Sequence, residues 1–403
     1  MNKKLMAVAV AGALAAPVTA FAQASNVQIY GRINTGWDNY SATGSSTTYA
    51  TTGGGAAGDF RSRARVFDSG SRFGVRGTED LGNGLKAIFQ IESGVNIDTG
   101  TVNGQSAAAN ASSGVFASRD SFAGIAGNWG QLTFGRQSYF WSGAGVNDQI
   151  AANYINTGVP WSNNANFSRI AGPAARQSNT MQYRSPMMGG FSFMGNYSPN
   201  SEANAVNTAT DANIWGMTIG YTNGPFDMHY DFASNQAVSG GATRQRVTGT
   251  KIDFGWAYQP GARVAVIWGR NKSDQSGGVT SGVSFTAGDN LAQSQWTLNW
   301  EHTFGNIMAI AQWGRLGSVS GCTAAAGLAS CTQTGATAWT LAARYNMSKR
   351  TALYASYAVV NNEGNQWNDF AAGGMSSAAA TGLGAANAGA DPRIWALGLH
   401  HSF

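Results

Sequence analysis

Stretches of roughly ten residues with apolar side chains on every second position recur along this chain from Val27 to Phe403. Phe226, Met228, Tyr230 and Phe232 alternate with Asp227, His229 and Asp231, and Ile252, Phe254, Trp256 and Tyr258 with Lys251 and Asp253. Trp296, Leu298 and Trp300 alternate with Gln295, Thr297, Asn299 and Glu301, while Trp395, Leu397, Leu399, His401 and Phe403 alternate with Ala396, Gly398, His400 and Ser402. A period of two gives each strand one greasy face and one wet face. Roughly ten residues is also the length at which a tilted strand crosses the hydrocarbon of a bilayer.

The connections alternate too. Short turn signals sit at Leu81-Gly82-Asn83-Gly84, Asn128-Trp129-Gly130, 186–190, Asn223-Gly224, Gln259-Pro260-Gly261, Phe304-Gly305-Asn306 and 346–350. Between them lie long polar loops near 40–69, 97–116, 138–175, 198–212, 234–246, 271–292, 316–335 and 361–391. Seven turns and eight loops joining consecutive antiparallel strands imply sixteen strands. No segment beyond the N-terminus approaches the ~20 apolar residues of a membrane helix, so a spanning chain must close its sheet into a barrel. A sandwich or propeller would bury its aromatic face and has no need of alternating loop lengths. Here Trp37, Tyr40, Tyr197, Tyr221, Phe226, Tyr258, Phe304, Trp313, Tyr345, Trp395 and Phe403 fall at strand ends, as girdles at two membrane interfaces require. The expected fold is an all-β, 16-stranded antiparallel transmembrane barrel with short periplasmic turns and long extracellular loops.

Residues 1–22 run from Lys3 and Lys4 through an apolar stretch to Ala20-Phe21-Ala22, the order of a secretory signal peptide. A single barrel domain then covers 23–403. Only 11% of residues are charged, against roughly a quarter in soluble domains, which suits a surface that meets lipid. The formal charge of +5 falls to +3 without Lys3 and Lys4, and an exported chain with so small an excess has no nucleic-acid partner. Cys322 and Cys331, nine positions apart, form one loop-closing disulfide in an oxidising compartment. No Walker, Rossmann or zinc-binding motif is present, so no cofactor and no metal are expected. His229 and His302 lack a Ser and carboxylate at hydrolase spacing, which argues against an outer-membrane protease or phospholipase. Asp227 and Asp231, flanking His229 in the wet phase, read as a solvated channel wall. Arg61, Arg63 and Arg65 fall in the first long loop, where they would steer anions or bridge to lipopolysaccharide or a neighbouring subunit, or simply form a solvated edge.

Six motifs follow one another along the chain: VQIYG at 27–31, SRFGVRGTEDLGNGLKAIFQIESG at 71–94, GNWGQLTFGR at 127–136, Ser185-Pro186, SKRTALY at 348–354 and GLHHSF at 398–403. In this order they resemble the general porins of Gram-negative bacteria, and within them the anion-selective trimeric type of beta-proteobacteria. The resemblance covers essentially the whole mature chain. It implies a homotrimer, passive diffusion of small solutes, an inward-folded third loop, and contact with outer-membrane lipid and lipopolysaccharide. The terminal Phe403 resembles the signal that the barrel assembly machinery reads. The family's constriction arginines fall on Arg72, Arg119, Arg136 and Arg176.

Phase supports Arg72, opposite to Phe73 and Val75, and Arg176, which shares parity with Thr180, Gln182 and Arg184. Arg136 shares parity with Leu132 and Phe134, so it reaches the lumen only if its strand bends or ends there. The third loop, 138–175, holds one acid, Asp148, and one base, Arg169, and lacks the acid cluster of cation-preferring relatives. Its aromatics, Tyr139, Phe140, Trp141, Tyr154, Trp161 and Phe167, either pack the loop onto the wall or line a path for ring-bearing solutes. Arginines in a narrow passage favour small hydrophilic anions as permeants. The alternative is that they pair with loop carboxylates and brace the wall. A substrate-specific channel or an adhesin could also use this barrel with specialised loops.

Overall fold

The computed structural model describes residues 26–44, 60–102, 116–139, 146–162, 170, 172–173, 175–199, 213–239, 243–274, 278–280, 283–285, 290–322, 331–366, 368–370 and 389–403. The expected signal peptide at 1–22 lies outside them, as do Arg169, Phe140, Trp141 and Phe167.

Sixteen antiparallel strands form one closed sheet. They are β1 (Asn26–Thr43), β2 (two segments, Phe60–Asp68 and Arg72–Gly82), β3 (Leu85–Asn96), β4 (Ser121–Gly127), β5 (Gly130–Ser138), β6 (Arg176–Arg184), β7 (Phe191–Ser198) and β8 (Ile214–Asn223). The second half comprises β9 (Phe226–Ser239), β10 (Thr243–Gln259), β11 (Ala262–Asp274), β12 (Asn290–Phe304), β13 (Ile307–Leu316), β14 (Ala336–Asn346), β15 (Thr351–Asn362) and β16 (Asp391–Ser402). Both segments of β2 pair with β1, so they count as one barrel strand interrupted at 69–71. β1 also pairs with β16, from Arg32 opposite Ser402 to Thr43 opposite Asp391, and this closes the cylinder. Closure satisfies every strand edge, which lipid cannot do.

Burial is inverted relative to a soluble protein. Trp296 and Leu397 are 51% and 53% exposed on the outside, whereas Asp231, Lys251, Asp253, Gln295 and Gln312 are buried inside. A chain that turns its aromatics outward and its ions inward has lipid as its outer solvent. Two aromatic belts follow. At the short-turn end Trp129 stacks on Tyr183, Phe191 lies against Tyr221, and His302 stacks on Phe304 at 4.3 Å. At the long-loop end Trp37 meets Trp395 at 4.4 Å and Trp215 meets Phe232 at 5.0 Å. Tyr40 does not join the upper belt: it has the parity of Asn34 and Asp38, is buried inside the barrel, and donates its hydroxyl to Asp369.

The first connection is shorter than its composition suggests. Arg61, Arg63 and Arg65 lie on β2 rather than in a loop, because Phe60–Asp68 pairs with the upper half of β1. Arg65 forms a two-pronged ion pair with Asp38 at 3.1 Å. Backbone pairing here outweighs the polar composition that reads as loop.

Candidate pore constriction

Loop 3 leaves β5 at Ser138 and returns at Arg176, and its described part folds into the barrel. Its one-turn helix α1 (Gln149–Ala152) is capped by Asp148, whose carboxylate accepts the Ala151 amide at 3.0 Å. The same carboxylate accepts from Ser162 Oγ at 2.7 Å and from Gln312 Nε2, on β13, at 2.9 Å. Gln312 Oε1 in turn accepts the Val159 amide at 2.7 Å. Trp161 and Val159 close over Gly314, where even a Cβ would collide with them. Burial pushes the Asp148 carboxyl above its usual range, opposed by its hydrogen bonds from Ser162, Ala151 and Gln312.

The loop is fastened at both ends of its path. On one side Asn147 donates to Asp227 and Asp253, at 3.0 and 2.6 Å, and Asn153 donates to Glu301 at 2.8 Å. On the other, Asn34 Nδ2 donates to the Tyr154 carbonyl at 2.7 Å, Asn156 donates to Asp38, and Thr157 meets Ser356. The Tyr154 ring stacks on His400, with the Arg32 guanidinium 4.1 Å from its centroid. The described aromatics of the loop, Tyr139, Tyr154 and Trp161, therefore hold it to the wall.

Asp227 and Asp231 are not a solvated wall, as parity alone suggested. Loop 3 covers the strands they sit on. Asp227 pairs with Arg263, Lys251 lies 3.5 Å from Asp231 and 3.7 Å from Asp253, and His229 Nδ1 is 2.8 Å from Asp253. Asp227, His229 and Asp253 bring three ligand-type atoms within 4.8 Å of one another. Asn147, Lys251 and Arg263 already engage those carboxylates, so the cluster behaves as an internal charge lattice beneath the loop.

Four predicted arginines stand on the opposite wall. Arg72 on β2 and Arg119, just ahead of β4 rather than within it, both donate to Glu92 on β3, at 3.5 and 2.5 Å. Tyr30 adds a hydroxyl to Glu92 at 3.1 Å. Arg176 pairs with Asp120, which also accepts from Ser138. Arg136 donates to the Ser118 carbonyl and to Ser178 Oγ, both at 2.9 Å. Beside it the ladder is irregular. The β5–β6 register slips between Gly135 and Gln137, with the extra residue on β6, where Asn179 adopts a positive φ of 56°. Asparagine tolerates that left-handed backbone. The β4–β5 pairing runs unbroken to Arg136, opposite Ser121.

Sequence reasoning passed over Arg32, Glu92 and Asp120. Arg32 and Glu92 have wet parity on their strands, a signal that was available. The position of Asp120 depends on how the chain enters β4. Together the guanidiniums of Arg32, Arg72, Arg119, Arg136, Arg176 and Arg184 gather around two carboxylates, Glu92 and Asp120, while Asp38 on β1 is engaged by Arg65.

The family model for Gram-negative porins matches residues 7–365. The chain belongs to the Gram-negative porin family. This porin is 34% identical over 190 residues to an outer membrane porin protein of Bordetella pertussis, 43% of this chain and 45% of that one. It is 31% identical over 241 residues to the major outer membrane protein P.IB of Neisseria meningitidis serogroup B, 59% of this chain and 60% of that one. It thus spans about half of these relatives' length. Among solved structures, the anion-selective porin from Comamonas acidovorans superposes with a TM-score of 0.69 at 22% identity, covering 94% of this chain and all of that one. A trimer form of OmpT from Vibrio cholerae gives 0.58 at 11%, covering 94% of this chain and 99% of that one. Both likenesses concern the barrel fold. Cys322 and Cys331 are joined as a disulfide, with Cα atoms 6.0 Å apart.

Proposed function

We propose that this porin is an outer-membrane channel for passive diffusion of small hydrophilic solutes, selective for anions, and that Arg72, Arg119, Arg136 and Arg176 form the basic wall of its eyelet. The charge asymmetry across loop 3 carries the reading. Arg32, Arg72, Arg119, Arg136, Arg176 and Arg184 gather around two carboxylates, Glu92 and Asp120, while Asp148, the loop's acid, is 3% exposed and turned into its own anchoring network. Guanidiniums stay charged at every working pH, and a narrow low-dielectric passage focuses their field on the permeating ion. A ring of arginines therefore concentrates anions and repels cations. Glu92 and Asp120 hold the arginines in place and lower the field without cancelling it.

Export through the signal at 1–22, reading of Phe403 by the barrel assembly machinery, assembly as a homotrimer and seating among lipopolysaccharide complete the proposal. The chain is a pore and carries out no chemistry on its solutes. Reversal potentials of the purified oligomer in a planar bilayer under a potassium chloride gradient test it. The expected sign is that of chloride preference; a potassium-selective potential overturns the anion reading.

A further inference from the structure

Below the arginine wall, toward the short turns, the inner faces of β1 to β4 enclose an alcove of about 640 Å³. Its size lies within the range of small-molecule sites. Two features set it apart from a plain water-filled lumen.

The first is a net positive charge. Arg76 and Lys86 line the alcove together with one acid, Asp80, and among the described residues neither cation forms an ion pair. Arg76 is oriented all the same: its Nε donates to Gln28 Oε1 at 3.1 Å and its guanidinium lies 4.9 Å from the Tyr30 ring centroid. That leaves its terminal nitrogens to the lumen. Asp80, opposite Lys86 in register, spends one carboxylate oxygen on the Gly82 amide at 2.9 Å, so the alcove keeps two cations against one acid.

The second is a break in the wet phase of β3. Its inward positions read Lys86, Ile88, Gln90 and Glu92, so one apolar residue interrupts a polar series. Register places Ile88 beside Gly124 and Phe122 beside Gln90, so the two apolar side chains share one side of the alcove with small residues between them. An apolar pair facing a water-filled channel departs from the pattern that the rest of the strand obeys, and such departures mark function.

We propose that this alcove binds carboxylates bearing an aromatic ring, the carboxylate between Arg76 and Lys86 and the ring against Ile88 and Phe122. The site lies two inward positions below Arg72 on β2, so an anion leaving the eyelet meets it next. A pore with such a site would hold this class of solute while passing small inorganic anions. The proposal rests on the channel reading above, since the ligand must reach the lumen.

Chloride current through single channels of the purified oligomer, with benzoate, acetate or neutral benzyl alcohol added, tests it. Benzoate is expected to reduce the current in a saturable manner, at a concentration about tenfold below that of acetate, and benzyl alcohol to leave it unchanged. Lys86→Gln should raise the half-blocking concentration of benzoate about tenfold. Ile88→Thr and Phe122→Leu should each narrow the gap between benzoate and acetate. Equal half-blocking concentrations of benzoate and acetate in the parent channel, or undiminished benzoate block in Lys86→Gln, overturn the proposal. Reversal potentials on the same channels separate the two readings. Cation preference sinks the anion-selective eyelet, whereas loss of benzoate discrimination with chloride preference intact sinks only the alcove.

Discussion

Arg119 donates to Glu92 at 2.5 Å across the gap between the approach to β4 and the middle of β3. Arg72 reaches the same carboxylate from β2. Glu92, 6% exposed, is therefore both the brace of the basic wall and its main internal counter-charge.

Replacing that carboxylate by its neutral isostere separates the two roles. Glu92→Gln keeps hydrogen-bonding oxygen and shape but leaves two guanidiniums without their counter-ion. Anion selectivity, read as the chloride to potassium permeability ratio, should rise by a factor on the order of two to ten, with the largest gain at low ionic strength. Arg119→Gln should move the ratio in the opposite direction. An unchanged ratio in both variants would mean that these charges do not face the ion path.

The third loop hangs on one carboxyl. Asp148→Ala removes the α1 cap and the bonds to Ser162 and Gln312, and should loosen the loop by roughly 1–3 kcal/mol. The barrel should stay intact, while current noise and protease cleavage within 146–162 increase. Asp148→Asn keeps a cap oxygen and should be far milder.

The pH dependence of that attachment has a definite sign. Because burial raises the Asp148 pKa, the folded loop favours the protonated acid. Its contribution to stability is fully present below the ordinary carboxylate range, near pH 4, and is lost as pH rises through the elevated folded value. Cleavage of the loop should therefore increase across that interval in the parent protein, and the part due to Asp148 should vanish in Asp148→Asn.

Barrel closure depends on a glycine. The Phe403 backbone exchanges hydrogen bonds with Gly31 at 3.1 and 3.2 Å, and the Phe403 ring occupies the space that a Cβ on residue 31 would need. Gly31→Val should displace the ring and press on the Arg72 carbonyl, costing roughly 1–3 kcal/mol. The fraction of heat-resistant folded barrel on unheated gels should fall. Full recovery of folded protein would show that the terminal ring is not part of the closing seam.

The disulfide secures an outer loop rather than the barrel. Cys322 and Cys331 pack beside Ile170, Leu291 and Val319, linking the seventh loop to the returning limb of the third. Reduction should cost roughly 2–3 kcal/mol of local stability in the chain-entropy model. It should expose 316–335 to protease without changing the melting of the strands.

Period-two alternation is local, so Trp296, Leu298, Lys251 and Asp253 disclosed their faces in the sequence, and turn and loop lengths then gave the strand number. Arg72 has the wet parity of its strand for the same reason, whereas the slip between Gln177 and Thr180 separates Arg176 from the phase of Thr180 and Gln182. What the sequence could not reveal depended on which distant segments meet. Arg136 meets Ser178 beside a register slip whose extra residue lies on β6, and no periodicity records a slip between strands. The burial of Tyr40, Asp227 and Asp231 follows from what covers each of them inside the cylinder. The pairing of Arg119 with Glu92, 27 residues away, exists only once β3 and β4 lie side by side. The two-residue repeat already implies a closed barrel with lipid outside and polar groups within, since it is written into every strand. Tertiary structure alone decided which of the inward charges neutralise one another and which remain for a solute, because electrostatic energy depends on separation in space rather than along the chain.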